Sequence, residues 1–372
     1  MSNEKLAIKR LNRNRIYKYI LERDHVSIAD IARDLLISLP TATQHIQALL
    51  KDGLLIEKGL CESTGGRRPK AYACNPVARV GCGINITHSS VDIVIVDLLG
   101  NLVDHNVLSV NGIVNRETMW NIREILLDML RRKAFPESAV IGVGISLPAI
   151  IDASNTIHET AFDAPLPGNF QENLQEALPF QLNYINDASS GGYAEFWHCK
   201  EENNIFFLSL SNSVGGAVRI HGQVYDGDDF RSAEIGHVTI VPNGRRCHCG
   251  QRGCANTYCS SNNLRQAADG SLSQFFQNLE AKDPHSVEVW DSYTDYLVNT
   301  INNIRLLYDC DVIIGGSVGR YIPKYIPELK RRLAGRDSFN RAPNFIKVSK
   351  YDSESSAVGA ALKFIDKFIS EV

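Results

Sequence analysis

Three cysteines lie within eight residues near the middle of the chain, in the segment RRCHCGQRGC: Cys247, Cys249 and Cys254. Cysteines this close together in a reducing compartment usually bind a metal ion or take part in redox chemistry. The spacing contains no Cys-x-x-Cys pair and no evident resolving thiol, which argues against a redox role. The segment therefore predicts a metal site, with Gly250 and Gly253 allowing the loop to turn tightly around the ion.

A closed structural zinc site needs four nitrogen and sulfur ligands in a tetrahedron, and the cysteines supply three of them. Candidates for the fourth ligand are His248, Cys259 and His237. His248 is poorly placed because it lies between two ligands on a short loop, whereas Cys259 would give an all-cysteine site. With four protein ligands the metal keeps no open position, so the ion would be structural and not a Lewis acid.

The chain has 372 residues of ordinary globular composition, enough for two or three domains with buried cores. No apolar run is long enough to cross a bilayer, and the N-terminal MSNEKLAIKR lacks the apolar core of a signal peptide. The nine cysteines are odd in number and mostly scattered, which fits poorly with a disulfide framework. The sequence therefore predicts a cytoplasmic protein with no membrane partner.

Charge is distributed unevenly, although the formal net charge is only −3. One basic cluster, which contains no acid, comprises Lys5, Lys9, Arg10, Arg13, Arg15 and Lys18. A second comprises Arg67, Arg68 and Lys70. Both fall in the first fifth of the chain, which predicts a small basic module attached to a larger neutral-to-acidic one.

The basic N-terminal region carries the pattern of a winged helix-turn-helix. After a first helical stripe, Ser27 is an N-cap with Asp30 three residues on, a capping-box pattern. Ser38 caps a third helix that has a proline in its first turn and ends at Gly53. Residues 54–74 then predict two strands around a Gly-rich loop, which is a wing.

The second helix of a helix-turn-helix lies in the DNA major groove. Its exposed face here offers polar side chains, among which glutamine can pair with adenine: Thr41, Thr43, Gln44 and Gln47. In the wing loop, Arg67 and Arg68 could enter a narrow, A/T-rich minor groove. The sequence therefore predicts binding to double-stranded operator DNA, the alternative being a protein-interaction module whose polar face is merely solvated.

From Val80 onward, short β-branched runs alternate with helical stretches, which predicts α/β layers. The predicted helices include Arg116–Arg132, Gly191–His198 and Ser286–Tyr308. The predicted strands end in loops rich in glycine or serine, and functional sites of such folds collect at the carboxyl ends of strands.

Four segments of this region resemble the ROK family of repressors and sugar kinases: NDA from Asn186, AEIGHVTI from Ala233, the cysteine segment, and IGGSVG from Ile314. The combination of Glu-Ile-Gly-His with Cys-x-Cys-x4-Cys is highly specific, and the resemblance covers nearly the whole chain. It implies an α/β protein with a winged helix-turn-helix over residues 1–76. Residues 77–372 would form a two-lobed, actin-like (ribonuclease-H-like) sugar-kinase fold.

The resemblance also implies roles for particular residues. It identifies His237 as the fourth ligand of a structural Zn²⁺. A metal-ligating histidine normally presents its second ring nitrogen to another polar group, which in this family is a hydroxyl of a bound sugar. The residues expected to bind the sugar are Asn186, Asp187, Glu234 and His237. The zinc ion would thus fix one wall of a carbohydrate pocket.

The chain departs from the family's kinases at both phosphate loops. Their first strand ends in a pattern like Asp-x-Gly-Gly, where this chain has Asn85-Ile86-Thr87-His88, and their second loop resembles Gly-Thr-Gly-x-Gly, where it has Ser211–Gly215. Side chains here replace glycines that let backbone N–H groups approach phosphate. Because phosphoryl transfer depends on positioning those phosphates, we expect no kinase activity, although Asp187 matches the kinase base. Sugar contacts change as well, since Ala149 replaces a glycine and Asn256 replaces a glutamate.

These patterns favour a sugar-responsive transcriptional repressor of carbohydrate-utilisation genes. We expect it to bind operator DNA as a homodimer or tetramer and to take a sugar or sugar phosphate as effector. One alternative is an active sugar kinase with a fused DNA-binding domain. Another is an empty dimerisation scaffold that responds to a protein, against which the intact Glu234–His237 pair argues.

Overall fold

The structure is a computed structural model that describes residues 3–60, 68–110, 112, 114–160, 166–199, 202–336 and 343–372. Its N-terminal part consists of helices followed by a hairpin: α1 (Asn3–Leu21), α2 (Ile28–Asp34), α3 (Leu39–Lys51), β1 (Leu55–Leu60) and β2 (Lys70–Cys74). The predicted winged helix-turn-helix is therefore confirmed as a fold. We call this part the winged domain.

Local sequence signals set the helix boundaries of the winged domain. The Ser27 hydroxyl accepts a hydrogen bond from the Asp30 amide, and the Asp30 carboxylate accepts one from the Ser27 amide, which completes the capping box before α2. The Ser38 hydroxyl accepts a hydrogen bond from the Thr41 amide at the start of α3. Gly53 follows the end of α3 at φ +73°, the left-handed conformation that glycine favours.

The next part, which we call the first lobe, spans residues 80–198. Its elements are β3 (Val80–Ile86), β4 (Ser90–Asp97), β5 (Leu102–Ser109), α4 (Arg116–Arg132), β6 (Val140–Leu147), β7 (Ala149–Ile151), β8 (Ile157–Thr160), α5 (Phe170–Ala177), β9 (Leu182–Asn186) and α6 (Asp187–His198). The main sheet has the strand order β5-β4-β3-β6-β9, and β7 pairs with β8. Strands β3, β4 and β5 form an antiparallel meander, after which β6 and β9 continue the sheet in parallel.

The second lobe spans residues 205–348. Its elements are β10 (Ile205–Leu210), β11 (Val214–Ile220), β12 (Gln223–Val224), α7 (Asn256–Cys259), α8 (Ser261–Arg265), α9 (Leu272–Glu280), α10 (Pro284–Tyr308), β13 (Asp311–Gly315), α11 (Gly316–Gly319), α12 (Ile326–Ala334) and β14 (Ile346–Val348). Its sheet order, β12-β11-β10-β13-β14, repeats the meander and parallel extension of the first lobe. Two such sheets with helices between them are the predicted ribonuclease-H-like architecture. Within the described part of the chain, none of the helices combines the length and apolarity that a bilayer crossing requires.

The C-terminal helix α13 (Ser355–Glu371) packs against the sheet of the first lobe with its backbone almost touching the strands. A Cβ atom added to Gly83 of β3 would lie 1.8 Å from the Ala357 carbonyl oxygen, and one added to Gly144 of β6 would lie 2.2 Å from that of Ala360. On the opposite side of the helix, Gly359 approaches the Ser190 carbonyl of α6 equally closely. Glycine is therefore required on both sides of α13.

The far end of α13 holds the winged domain. Arg13 Nε donates a hydrogen bond to the Val372 carbonyl at 2.9 Å, and Asn14 Nδ2 donates one to the Ile369 carbonyl. Apolar side chains of α1, including Ile16, share a buried cluster with Ile369. The winged domain is thus packed directly onto the helix that is seated on the first lobe.

We expect Gly83→Ala to destabilise the full-length chain by about 3 kcal/mol or more, because its methyl group would overlap the backbone of α13. The measurement is the midpoint of denaturant unfolding. Gly168→Ala is the matched control, since a Cβ there would meet no atom within 4 Å. Equal midpoints for the two variants would show that α13 is not seated as described.

Candidate functional site

A cleft of about 1280 Å³ lies between the lobes. The first lobe contributes Asn85 and Asp187 to its lining, and the second lobe contributes Ser211 and His248. The start of α13 contributes Ser356. The cleft therefore lies at the carboxyl ends of β3, β9 and β10, where the α/β pattern predicted a site.

Asn186 and Asp187 occupy the junction between β9 and α6. Helix α6 begins at Asp187, earlier than the predicted Gly191, because Asn186 caps it by accepting a hydrogen bond from the Ser189 amide at 2.9 Å. Asn186 Nδ2 donates to the Ala149 carbonyl at 3.1 Å. Asp187 lines the cleft, whereas Asn186 is engaged in these local hydrogen bonds beside it.

The electrostatic setting of Asp187 is unusual for a carboxylate. Burial, with a smaller contribution from the charge of Glu234, raises the pKa of Asp187 to about 6, against the opposing hydrogen bond from the Ala188 amide. Burial also raises the pKa of Glu234, against the nearby positive charge of Arg231. The structure thus brings Asp187 of the first lobe near Glu234 of the second.

Glu234 and His237 lie on a short helical turn, with Glu234 Oε2 and His237 Nε2 4.0 Å apart. The other ring nitrogen of His237, Nδ1, faces the Cys247 sulfur at 3.8 Å. Neither residue lines the large cleft itself. His237 therefore has one nitrogen directed at the cysteine cluster and the other directed at Glu234, whereas the resemblance implied a sugar hydroxyl as the partner of that second nitrogen.

His237, Cys247, Cys249 and Cys254 place one ligand atom each within 4.8 Å of one another. The Cys249 and Cys254 sulfurs are 3.7 Å apart. Two sulfurs bound tetrahedrally at about 2.3 Å from one zinc ion would be separated by about 3.8 Å. The donor set and its spacing therefore fit a tetrahedral metal site.

Neither of the two other candidates for the fourth ligand belongs to this group of four mutually close ligand atoms. Cys259 is buried in the core of the second lobe, where its sulfur contacts the Thr300 hydroxyl. His248 lines the cleft and contacts Asn256, and its Nδ1 atom is also 3.9 Å from the Cys247 sulfur. The glycines of the cysteine loop have the predicted role, because Gly250 and Gly253 both adopt positive φ angles.

Side chains form internal hydrogen bonds in the two loops that the resemblance aligned with the phosphate loops of the family's kinases. The Thr87 hydroxyl donates to the Ser90 carbonyl and accepts from the Ser90 amide, which closes the turn between β3 and β4. In the other loop, the Ser211 hydroxyl accepts a hydrogen bond from the Ser317 amide at 3.2 Å. In each case, a backbone N–H group that could otherwise face a ligand already donates to a side-chain hydroxyl of the protein.

Four of the predicted DNA-contacting residues lie on α3: Thr41, Thr43, Gln44 and Gln47. Thr43, Gln44 and Gln47 are exposed, whereas Thr41 is half-buried and its hydroxyl is bonded to that of Ser38. Arg68 of the wing is exposed. The prediction for Arg67 falls outside the described residues.

The sequence patterns did not single out some polar residues that the fold places in the cleft, above all Asp92 and the serines at the start of α13. Asp92 lies in the otherwise apolar strand β4 (SVDIVIVD), and that interruption was the available signal. The fold and site together define a class: a DNA-binding winged domain joined to a two-lobed, ribonuclease-H-like domain with a Cys/His cluster.

The chain belongs to the ROK family, whose model matches residues 82–367. A model of winged helix-turn-helix DNA-binding domains matches residues 10–56. The xylose repressor of Bacillus subtilis (strain 168) is 26% identical over 98% of this chain and 97% of its own length. N-acetylmannosamine kinase of Vibrio cholerae is 24% identical over 60% of this chain and 79% of its own length.

Solved structures show the same fold. A ROK family transcriptional regulator described as a homolog of the E. coli MLC protein superposes with a TM-score of 0.75 at 18% identity, covering 98% of this chain and 97% of that one. A ROK family glucokinase from Streptomyces griseus, in complex with glucose and AMPPNP, gives a TM-score of 0.62 at 18% identity. That match covers 76% of this chain and 98% of the glucokinase.

We expect Asp187→Asn to stabilise the protein at pH 7.5 by on the order of 2 kcal/mol. The folded state raises the pKa of Asp187, so folding disfavours the charged form once the pH exceeds the ordinary carboxyl pKa of 3.8. The difference in unfolding free energy between the variant and the wild type should narrow as the pH falls from 7.5 to 5, because the wild-type carboxyl then becomes protonated. Denaturant unfolding of both proteins at both pH values measures this difference.

The exposed Asp228→Asn is the control for this measurement and should show no comparable gain. A gain for Asp187→Asn that is the same at pH 5 and pH 7.5 would contradict the account of a buried charge.

Proposed function

We propose that this protein is a sugar-responsive transcriptional repressor of carbohydrate-utilisation genes. The observation that carries the proposal is the course of α13, which begins in the cleft and ends in hydrogen bonds to α1 of the winged domain. The similarity to a xylose repressor along nearly the whole chain supports it. Binding to operator DNA would place its action in the cytoplasm.

The DNA contacts of the proposal are those of a winged helix-turn-helix. Gln44 and Gln47 would reach base edges from α3, with Thr41 and Thr43 toward the backbone, and Arg67 and Arg68 would add affinity from the wing. A homodimer or tetramer would present two such helices to half-sites about 34 Å apart, or a multiple of that distance. We place the domain boundary between residues 76 and 77, in the segment that joins β2 to β3.

Regulation would couple closure of the cleft to the orientation of the winged domain. Asp187 and Glu234, from opposite lobes, would bind hydroxyls of one sugar together with Asn186 and His237, which favours a closed arrangement. A ligand shifts such an equilibrium only by its differential affinity for the two states. A hundred-fold preference supplies about 2.7 kcal/mol, which α13 would transmit to α1.

The cysteine cluster would hold a structural Zn²⁺ with His237 as the fourth ligand. The ion would fix the orientation of the His237 ring and thereby the position of Glu234 beside it. Four protein ligands leave no position for substrate, so the ion would stabilise the fold of this wall without taking part in chemistry.

We also propose that the protein is not a sugar kinase, despite retaining Asp187. The side chains in the loops at Thr87 and Ser211 occupy positions where phosphate needs close backbone approach, and their internal hydrogen bonds support this reading. A carboxylate at position 187 can accept hydroxyl hydrogen bonds without acting as a base.

The test uses full-length protein and an operator fragment selected by the wild type from random DNA. We expect a saccharide that raises the melting temperature to weaken operator binding at least tenfold. Glu234→Ala should bind the operator normally but lose this response. Gln44→Ala should lose roughly 1–3 kcal/mol of operator affinity while its melting temperature still responds to the saccharide.

Fluorescence anisotropy of the labelled fragment at fixed salt measures both effects. A Glu234→Ala variant that responds like the wild type would place the effector pocket elsewhere. Incubation of the wild type with ATP and the same saccharide is the second arm, and we expect no phosphorylation. Robust turnover that disappears in Asp187→Ala would favour the kinase alternative instead.

For the metal, we expect about one zinc ion per chain in protein prepared without chelator, measured by elemental analysis. Cys249→Ser should lose the ion and lower the melting temperature, since formation of a metal site is coupled to folding. Cys259→Ser is the control, because it removes the rival thiol and should keep the ion. Zinc-free folded wild type, or loss of zinc in the control alone, would overturn the assignment.

A further inference from the structure

One end of the cleft is rich in hydrogen-bond acceptors. Asn85 on β3 and Asp92 on β4 are direct cross-strand partners, so their side chains lie on the same face of the sheet. They are only 5% and 3% exposed, and both line the cleft. The Asn85 Oδ1 atom is buried and accepts no hydrogen bond from any described residue. A buried acceptor without a donor costs free energy, which a hydroxyl donor from a ligand would recover.

The start of α13 connects these acceptors to Asp187. Ser353 Oγ lies 3.4 Å from Asp92 Oδ1, which also contacts His105 Nε2 at 3.0 Å. Three residues further along, Ser356 Oγ donates to the Asp187 carbonyl at 2.8 Å. The start of α13 thus links the Asp92 carboxylate to the backbone of Asp187. A phosphate group placed beside the Asp92 carboxylate would meet like charge.

Three arginines of the second lobe line the cleft: Arg245, Arg246 and Arg265. Arg245 Nη1 donates to the Thr257 carbonyl and to Asn263 Oδ1, and its guanidinium lies over the ring of Tyr258. Arg265 donates to the Gly270 carbonyl. The acceptor-rich end therefore offers charge and hydrogen-bonding capacity suited to neutral O–H donors.

We propose that Asn85 and Asp92 form a second saccharide subsite, and that the effector is an uncharged oligosaccharide extending to it from Asp187. This inference rests on the proposed function, since it specifies the effector of that same cleft. The volume of about 1280 Å³ exceeds the range of about 300–1,000 Å³ that holds a drug-sized ligand, so it leaves room beyond one sugar ring. The subsite lies where the family's kinases have their first phosphate loop, and its lining selects hydroxyls over phosphate.

The experiment is calorimetric titration of the full-length protein with defined probes. They are glucose, xylose, glucose 6-phosphate and a set of disaccharides: maltose, cellobiose, sucrose, lactose and xylobiose. We expect at least one disaccharide to bind ten-fold or more tightly than each of its component sugars, and glucose 6-phosphate to bind no more tightly than glucose.

Two variants probe the subsite itself. Asp92→Asn keeps the side-chain volume and should reduce the disaccharide preference at least five-fold, leave monosaccharide affinity unchanged and improve glucose 6-phosphate binding by removing a negative charge. Asn85→Ala should reduce the preference for disaccharides but should not improve the binding of glucose 6-phosphate. The exposed Asp228→Asn is the control and should match the wild type.

The outcomes separate this inference from the proposed function. If monosaccharides bind and weaken operator binding but no disaccharide binds more tightly, the second subsite is wrong and the repressor stands. Tighter binding of glucose 6-phosphate than of glucose by the wild type would likewise overturn the subsite. If no saccharide binds at all, both proposals fail.

Discussion

The close backbone contact between α13 and the strands of the first lobe is the constraint on which the rest of the structure depends. Gly83 and Gly144 leave no side chain between strand and helix, and Gly359 does the same toward α6. Close packing of this kind resists sliding, since displacement would bring Cβ atoms and carbonyl oxygens into overlap. The helix therefore fixes two distant features at once: the serines that line the cleft and the carbonyls that hold α1.

The cleft contains buried polar groups that lower the stability of the folded protein when no ligand is bound. Asp187 carries a carboxylate whose burial raises its pKa to about 6, and Asn85 retains an unpaired buried acceptor. Such groups lower stability and persist where they bind something. The Cys/His cluster is connected to Glu234 through His237, which lies in the same helical turn.

Local signals in the sequence were sufficient for much of the fold. Helix α4 begins and ends at the predicted residues, and the caps at Ser27 and Ser38 set α2 and α3, because each of these depends on a few neighbouring residues. Helix α13 was not predicted: its small residues are explained only by glycines more than two hundred positions away. Strand β5 was missed as well, since its half-exposed face is polar.

The residues of the candidate site were likewise predictable only in part. The grouping of His237 with the cysteines followed from a motif, and the structure brings their ligand atoms together. For Asp92 the sequence offered only a polar residue in an otherwise apolar strand, because its place in the cleft depends on its register opposite Asn85 and on the approach of Ser353. The repetition of one sheet order in both lobes was also hidden, since the two halves share topology without evident sequence similarity.

Because α13 is packed closely against the first lobe, a rotation of that lobe would be amplified into a displacement at the far end of the helix. Its 17 residues span about 25 Å at a rise of about 1.5 Å per residue. A rotation of the first lobe by about 8° around the cleft end would displace the far end by about 3.5 Å, close to the rise of about 3.4 Å between successive base pairs. In a symmetric pair of chains each α13 helix would swing in the opposite sense, so a modest closure of the lobes would move two recognition helices out of register with two half-sites together.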